Sequence, residues 1–180
     1  MKNIFILIIT VLFLPACKNK QIVKDLENIR KQPIIFPPAM VYCKGDTSNI
    51  DVDIESVNAK IVIWYDSTDC KECNIAKLPD YSIIDDYCRN ASYNLNLVFI
   101  FSIRKKNEKL VQYVQYSKQY FPIFIDTSNL FYKLNPHIPA NKLMHSFLLD
   151  DENNVVLVGN PIQNQAMFDL YKKKIEEMVN

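Results

Sequence analysis

Glycine is almost missing from this chain, with two in 180 residues. That excludes the Gly-rich loops that let a backbone approach a phosphate closely. No charge of one sign predominates, since 21 Lys and Arg stand against 20 Asp and Glu. No basic run of the kind that grips nucleic acid or anionic headgroups is present, so no nucleic-acid partner is expected. There is no internal repeat and no low-complexity tract. The one long apolar run, Ile4 to Leu14, is broken only by Thr10. It is too short to span a bilayer, which takes roughly 20 residues. Five cysteines are too few for a disulfide scaffold in a chain of this size. What is present is one domain's length of sequence, 49% of it apolar, enough to build a real core.

The N-terminus is read apart from the fold. Met1-Lys2-Asn3 supplies one positive charge, and the apolar run behind it suits the h-region of an export signal. The run stops at Leu14-Pro15-Ala16-Cys17, and polar chain follows at once. This resembles the lipobox of bacterial lipoproteins, which implies a signal over residues 1–16 and lipid attachment at Cys17. The plainer alternative is an ordinary signal peptide with a chance Cys. Acyl chains contribute about 0.8 kcal/mol per buried CH₂, so several of them hold a soluble domain on a membrane without a helix. Loss of residues 1–16 removes one Lys and leaves the chain formally neutral. Lys18 is not the Asp that retains lipoproteins at the inner membrane, and Lys18-Asn19-Lys20 lacks the acidic cluster of surface export. The expected location is therefore the cell envelope, lipid-anchored at the periplasmic face of the outer membrane. Export would put Cys43, Cys70, Cys73 and Cys88 in an oxidising compartment.

The remaining order of elements is read from periodicity. Residues 17–32 are polar with a weak helical period and read as a tether before a domain over 33–180. Pro33–Phe36 and Met40–Cys43 are short strand candidates, and Asn49–Ser56 alternates as a half-buried strand. Ile61–Tyr65 and Leu95–Ile103 are continuous apolar β-rich runs, as strands covered on both faces should be. Cys70 to about Arg89 has helical period with a kink expected at Pro79, and Lys106–Tyr120 reads as an amphipathic helix. Pro122–Ile125 is a short strand and Ser128–Leu134 one or two helical turns. Met144–Leu149 and Asn154–Val158 form a hairpin, and Gln163–Val179 a closing helix. Strands alternating with helices predict an α/β sandwich with parallel central strands, and the final hairpin makes its sheet mixed.

The pair Cys70-Lys71-Glu72-Cys73 follows the first buried strand directly and opens the next helix. In this element order it resembles the core of the thioredoxin family. Phe121–Asp126 and Ser146–Asp150 are similar to the TlpA-type branch. Ile34-Ile35-Phe36-Pro37, and Phe147–Asp150 through Val158-Gly159-Asn160-Pro161, resemble thioredoxin-like lipoproteins of Bacteroidetes. The resemblance covers roughly residues 33–180. It implies a three-layer thioredoxin-like α/β sandwich with a mixed sheet, an N-terminal β extension, and thiol–disulfide exchange without a cofactor. The implied partners are cysteine-containing envelope proteins or an upstream membrane reductant.

With Asp69 as N-cap, Cys70 becomes N1 and Glu72 N3, a capping box that leaves Cys70 near free backbone N–H groups and the helix dipole. That favours a thiolate at Cys70, with Cys73 one turn later as the resolving thiol. Lys71 assists the thiolate, while Asp69 and Glu72 oppose it, so a pair toward the reducing end is expected. The chain also departs from the family. Asp69 replaces the Trp before the first Cys, and Trp64 replaces the buried carboxylate six residues before it, with Asp66 the nearest acid. The cis-Pro position falls on Met144, where a trans bond is expected because cis costs about 2.5–4 kcal/mol for a non-proline residue.

Other chemistries fit these residues less well. A peroxiredoxin would carry Pro and Thr or Ser where Ile63 and Ser67 stand, so half its motif is missing. Cys70, Cys73 and His145 form a candidate Cu(I) or Zn(II) set, the basis of an alternative reading as a binding or sensing module. His137 reads as a loop residue. Tyr113, Tyr116 and Tyr120 read as a packing face. Cys43 and Cys88 read as buried small residues or as a structural pair.

Overall fold

The computed structural model describes residues 14–38, 42–44, 47–50, 53–54, 56–103, 114 and 121–179, with backbone alone for 14–19, 42–44 and 47–50. The signal region through residue 13 and the helix expected over 106–120, with its three tyrosines, lie outside the described residues. Val114 of that stretch is helical and fully buried.

The elements in chain order are α1 (Leu14–Ile29), β1 (Tyr42–Lys44), β2 (Thr47–Ile50), β3 (Ala59–Tyr65), α2 (Lys71–Ala76), α3 (Ser82–Asn90), β4 (Leu95–Ser102), β5 (Ile123–Asp126), α4 (Leu130–Leu134), β6 (Ser146–Leu149), β7 (Val155–Val158) and α5 (Gln165–Val179). The strands form one mixed sheet in the order β2-β1-β5-β4-β3-β6-β7. Central β3 pairs parallel with β4 and antiparallel with β6, and β4 pairs parallel with β5. The β1–β2 hairpin, the expected N-terminal extension, adds antiparallel to β5.

Alternation along the strands divides the core in two, because successive side chains point to opposite faces. Ile61, Ile63, Phe99 and Phe101 pack with Tyr81, Ile84, Tyr171 and Ile175 on one face. Val62, Trp64, Val98 and Ile100 pack with Ile29, Ile34, Phe131 and Phe147 on the other. Apolar runs covered on both sides are what a three-layer sandwich requires.

The long helix expected over 70–89 is broken into three pieces. Pro79 opens a 3₁₀ turn, Leu78–Tyr81, between α2 and α3. Its ring nitrogen has no hydrogen to donate to the preceding turn, so the α ladder cannot pass through it. Pro33–Phe36 is not a strand. It is an extended segment clamped by a side chain, since Ile35 N donates to Asn135 Oδ1 and Asn135 Nδ2 donates to Ile35 O, both at 2.8 Å. Fully buried Asn135 supplies the pairing that a neighbouring strand would otherwise give. In α4, the buried Asp126 carboxylate accepts from Leu130 N and Phe131 N, each at 2.9 Å, closing the helix's free N–H groups.

The stretch expected as a tether is helical, and its second half is seated on the domain. Ile29 is fully buried, and Ile22 and Leu26 pack against the same cluster. These residues recur at the three- and four-residue spacing of one helix face. Among the described residues, no helix is long and apolar enough to cross a membrane.

Candidate active site

Parallel β3 carries the chain to the carboxyl edge of the sheet and stops at Tyr65. The loop Asp66–Asp69 then turns into α2, placing Cys70 and Cys73 at the rim, where both are exposed. They are joined as a disulfide with their Cα atoms 5.4 Å apart, inside the ordinary range for such bonds. The helix starts one residue later than expected. Cys70 itself is the N-cap of α2, with extended backbone, and its Sγ accepts from Cys73 N at 3.3 Å. Asp69 is not the cap and no capping box forms, because the Asp69 carboxylate is turned the other way, accepting from Asp66 N at 2.8 Å. The change favours the chemistry, since the attacking sulfur now takes the cap acceptor's place and an orphan helix N–H points at it.

The charges nearby are arranged differently from a simple reading of the sequence. Lys71 is buried, its ammonium donates to the Asp66 carbonyl, and burial pulls it below its ordinary range. Its ammonium is thereby bound to the backbone of the dithiol loop. Glu72 is exposed. Burial alone would raise the Asp66 carboxyl, but the Thr68 hydroxyl and backbone N–H, with the charge of Lys142, outweigh that and hold it low. Lys142 Nζ stands 2.5 Å from Asp69 Oδ1 and 3.9 Å from Asp66 Oδ1. Sequence reasoning missed Lys142. It lies 73 residues from Asp69 and belongs to no motif, so only the folded topology pairs them.

Facing the dithiol loop is the 3₁₀ turn Lys142–Met144, which runs through His145 into β6. No cis peptide bond occurs among the described residues, so Met144 is trans; its side chain is buried. Trp64 N donates to His145 O at 2.8 Å, continuing the β3–β6 pairing up to the turn. The His145 ring is buried at 4.2 Å from the Trp64 ring, and its Nε2 lies 3.0 Å from Pro139 O. A carbonyl can only accept, so the neutral ring carries its proton on Nε2, and burial holds it neutral. Nδ1 is buried without a hydrogen-bond partner. The candidate metal set is not assembled: among the described residues, no three His, Cys, Asp or Glu side chains come within reach of one ion. His145 is spent on packing and on Pro139, and the two sulfurs are bonded to each other.

Trp64 supplies no substitute for the missing buried carboxylate. Its Nε1 donates to Ser102 Oγ at 3.0 Å, and its ring packs against Phe131 and Tyr132. Ile63, which stands where a peroxiredoxin would carry Pro, is buried core within β3. Cys88 is a free buried thiol on α3, which leaves it unpaired with Cys43; the Cys43 side chain lies outside the described residues, as does that of Cys17. Between the dithiol loop and the turn lies a hollow of about 300 Å³. Trp64, Tyr65, Asp69, Asn74, Lys142 and Leu143 are among its lining residues. Leu143 is 60% exposed at this mouth.

A βα unit bearing a vicinal cysteine pair, followed by parallel β4 and β5, then the antiparallel β6–β7 hairpin and a closing helix, sits beneath this site. No protein-family model matches the chain, and no curated protein matches it. Solved structures do. A protein described as the thiol:disulfide interchange protein DsbE from Chlorobium tepidum aligns over 74% of this chain and 92% of its own, with a TM-score of 0.51 at 16% identity. A protein described as a thioredoxin from Neisseria meningitidis aligns over 79% of this chain and 92% of its own, with a TM-score of 0.50 at 10% identity. The fold is thioredoxin's. Within the thioredoxin fold, Cys70 and Cys73 occupy the edge where the first core strand meets its helix. Met144 stands on the turn opposite, immediately before the strand that returns beside β3.

Proposed function

We infer that this protein is a membrane-anchored thiol–disulfide exchange protein that works through Cys70 and Cys73 and acts as a reductant. The observation that carries the reading is the exposed dithiol at the N-cap of α2, with Cys70 Sγ already accepting a backbone N–H. That bond and the helix dipole both favour sulfur as an anion, which is the attacking form. Since they also stabilise the reduced pair, the reductant direction rests on Asp69 and Glu72 beside Cys70 holding that gain small. In the reduced protein the Cys70 thiolate attacks a partner's disulfide. A Cys70–partner bond forms, and the partner's second sulfur leaves as a thiolate. Cys73, losing its proton to solvent, then attacks Cys70 Sγ, and the first partner sulfur leaves. Two electrons have passed to the partner, and the protein holds the Cys70–Cys73 disulfide seen here. A reductant of the dithiol or membrane-protein class restores it. No cofactor is required.

Partner trapping tests the reading. Cys73→Ser removes the resolving thiol, so mixed disulfides through Cys70 should accumulate in cells and disappear on reduction. Absence of any Cys70-dependent adduct would favour a binding or sensing module on the same fold. The lipobox reading of Leu14–Cys17 supports anchoring through Cys17 in the cell envelope, at the periplasmic face of the outer membrane. Cys17→Ser should move the protein to the soluble fraction. Labelling of the protein on intact cells would contradict the periplasmic face.

A further inference from the structure

Asp69 presents a difficulty for the chemistry above. A carboxylate in the residue before Cys70 opposes a thiolate there, and like charges at such range disfavour the charged form. Its two oxygens are, however, both engaged away from the dithiol: Oδ2 accepts from Asp66 N at 2.8 Å, and Oδ1 meets Lys142 Nζ at 2.5 Å. Lys142 comes from the opposite side of the mouth, on the turn before β6. That turn is itself fixed. Asn141 caps it, its Oδ1 accepting from Leu143 N at 3.2 Å and its carbonyl from Met144 N at 2.9 Å. The Asn141 amide also reaches the buried Asp25 carboxylate of α1 at a long 3.4 Å, and Gln21 steadies Asp25 at 2.7 Å. A chain of polar contacts therefore runs from α1 through the turn to the residue that precedes the attacking cysteine.

We propose that Lys142 is a positioning residue for the dithiol, acting through Asp69: it neutralises that carboxylate, holds it turned from Cys70, and ties the turn to the dithiol loop. Of the titratable and charged groups around the dithiol loop, Tyr65, Asp69, Lys142 and His145 line the mouth, while Asp66 belongs to the loop and Lys71 and Glu72 to the start of α2. Of these, Lys142 forms ion pairs with the loop carboxylates. Lys71 donates to a loop carbonyl. Lys142 is half-exposed, so the effect is modest and falls with added salt.

The proposal rests on Cys70 being the attacking thiol. It is tested by the pH profile of Cys70 alkylation in the reduced full mature chain, resolved site by site by mass spectrometry at low salt. Lys142→Ala should raise the apparent Cys70 pKa by about half a unit and slow its alkylation at pH 7 about threefold. Lys142→Arg should restore the wild-type profile. In an Asp69→Asn background, Lys142→Ala should change nothing, because the carboxylate through which it acts is gone. Thermal unfolding of each variant keeps the reading apart from loss of fold. An unchanged profile in a folded Lys142→Ala variant would overturn the proposal. So would an equal shift in the Asp69→Asn background, which would mean that Lys142 acts on Cys70 directly. Alkylation reads the thiol whether or not a partner exists, so a normal Lys142 effect with no trapped partner would fail the exchange function and leave this inference standing.

Discussion

Truncating Ile29 to Ala tests whether α1 is a part of the domain or a leash. Ile29 is fully buried against Ile34, Trp64 and Phe131 of the second core. Removing a buried Ile side chain costs about 2–5 kcal/mol, from lost burial and the cavity left behind. For a domain of this length, each kcal/mol moves the midpoint by about 2–4 °C, so a fall of about 10 °C is expected. The control is Val23 on the same helix, 54% exposed. Val23→Ala should stay within about 0.5 kcal/mol, or under about 2 °C. Thermal unfolding followed by circular dichroism, with a soluble form beginning at residue 18, reads both. The consequence is functional. A helix over residues 18–29 spans about 18 Å at 1.5 Å per residue, whereas the same chain fully extended reaches about 40 Å. With the chain anchored at Cys17 as proposed, a seated helix would hold the dithiol at a set distance from the lipid, and a leash would let it search. Equal midpoints for the two variants would refute the seated helix.

Cys88 gives a pH test. Burial first, and the charge of Asp85 second, push its thiol up to about 12. Its folded value exceeds its unfolded one, so the stability it contributes is complete below about pH 8.5 and is lost as pH rises toward 12. Cys88→Ala should flatten the alkaline fall in stability over that interval, and native Cys88 should resist alkylation at pH 8 until denaturant is added. Asp126→Ala leaves two α4 N–H groups without their acceptor and should cost about 2–4 kcal/mol by urea unfolding. Changing Asp69 and Glu72 to amides should raise the reduction potential of the pair, and no movement would contradict their opposing the thiolate.

The strands were legible because β3 and β4 are apolar without interruption, and only a strand covered on both faces tolerates that. The dithiol was legible because its spacing and its place after β3 are local facts. The cap was missed by one residue, since Asp69 and Cys70 can each accept a helix N–H and the choice was made by Lys142 and Asp66 N drawing the carboxylate aside. Pro33–Phe36 imitated a strand because its extended backbone is real, but its partner is the side chain of Asn135, 100 residues away from Ile35. The seating of α1 was concealed for a similar reason. Its buried face is narrow, and one of its buried positions is Asp25, which reads as surface until Gln21 and Asn141 are seen around it.

The reduction potential of the Cys70–Cys73 pair, from equilibration of the purified protein against glutathione buffers, tests the central claim most directly. An exchanging, reductant-like dithiol predicts a value near thioredoxin's, about −270 mV. A value above about −180 mV, where protein disulfide isomerase sits, would contradict a reductant, and one below about −300 mV would mark the bond as structural and contradict exchange altogether.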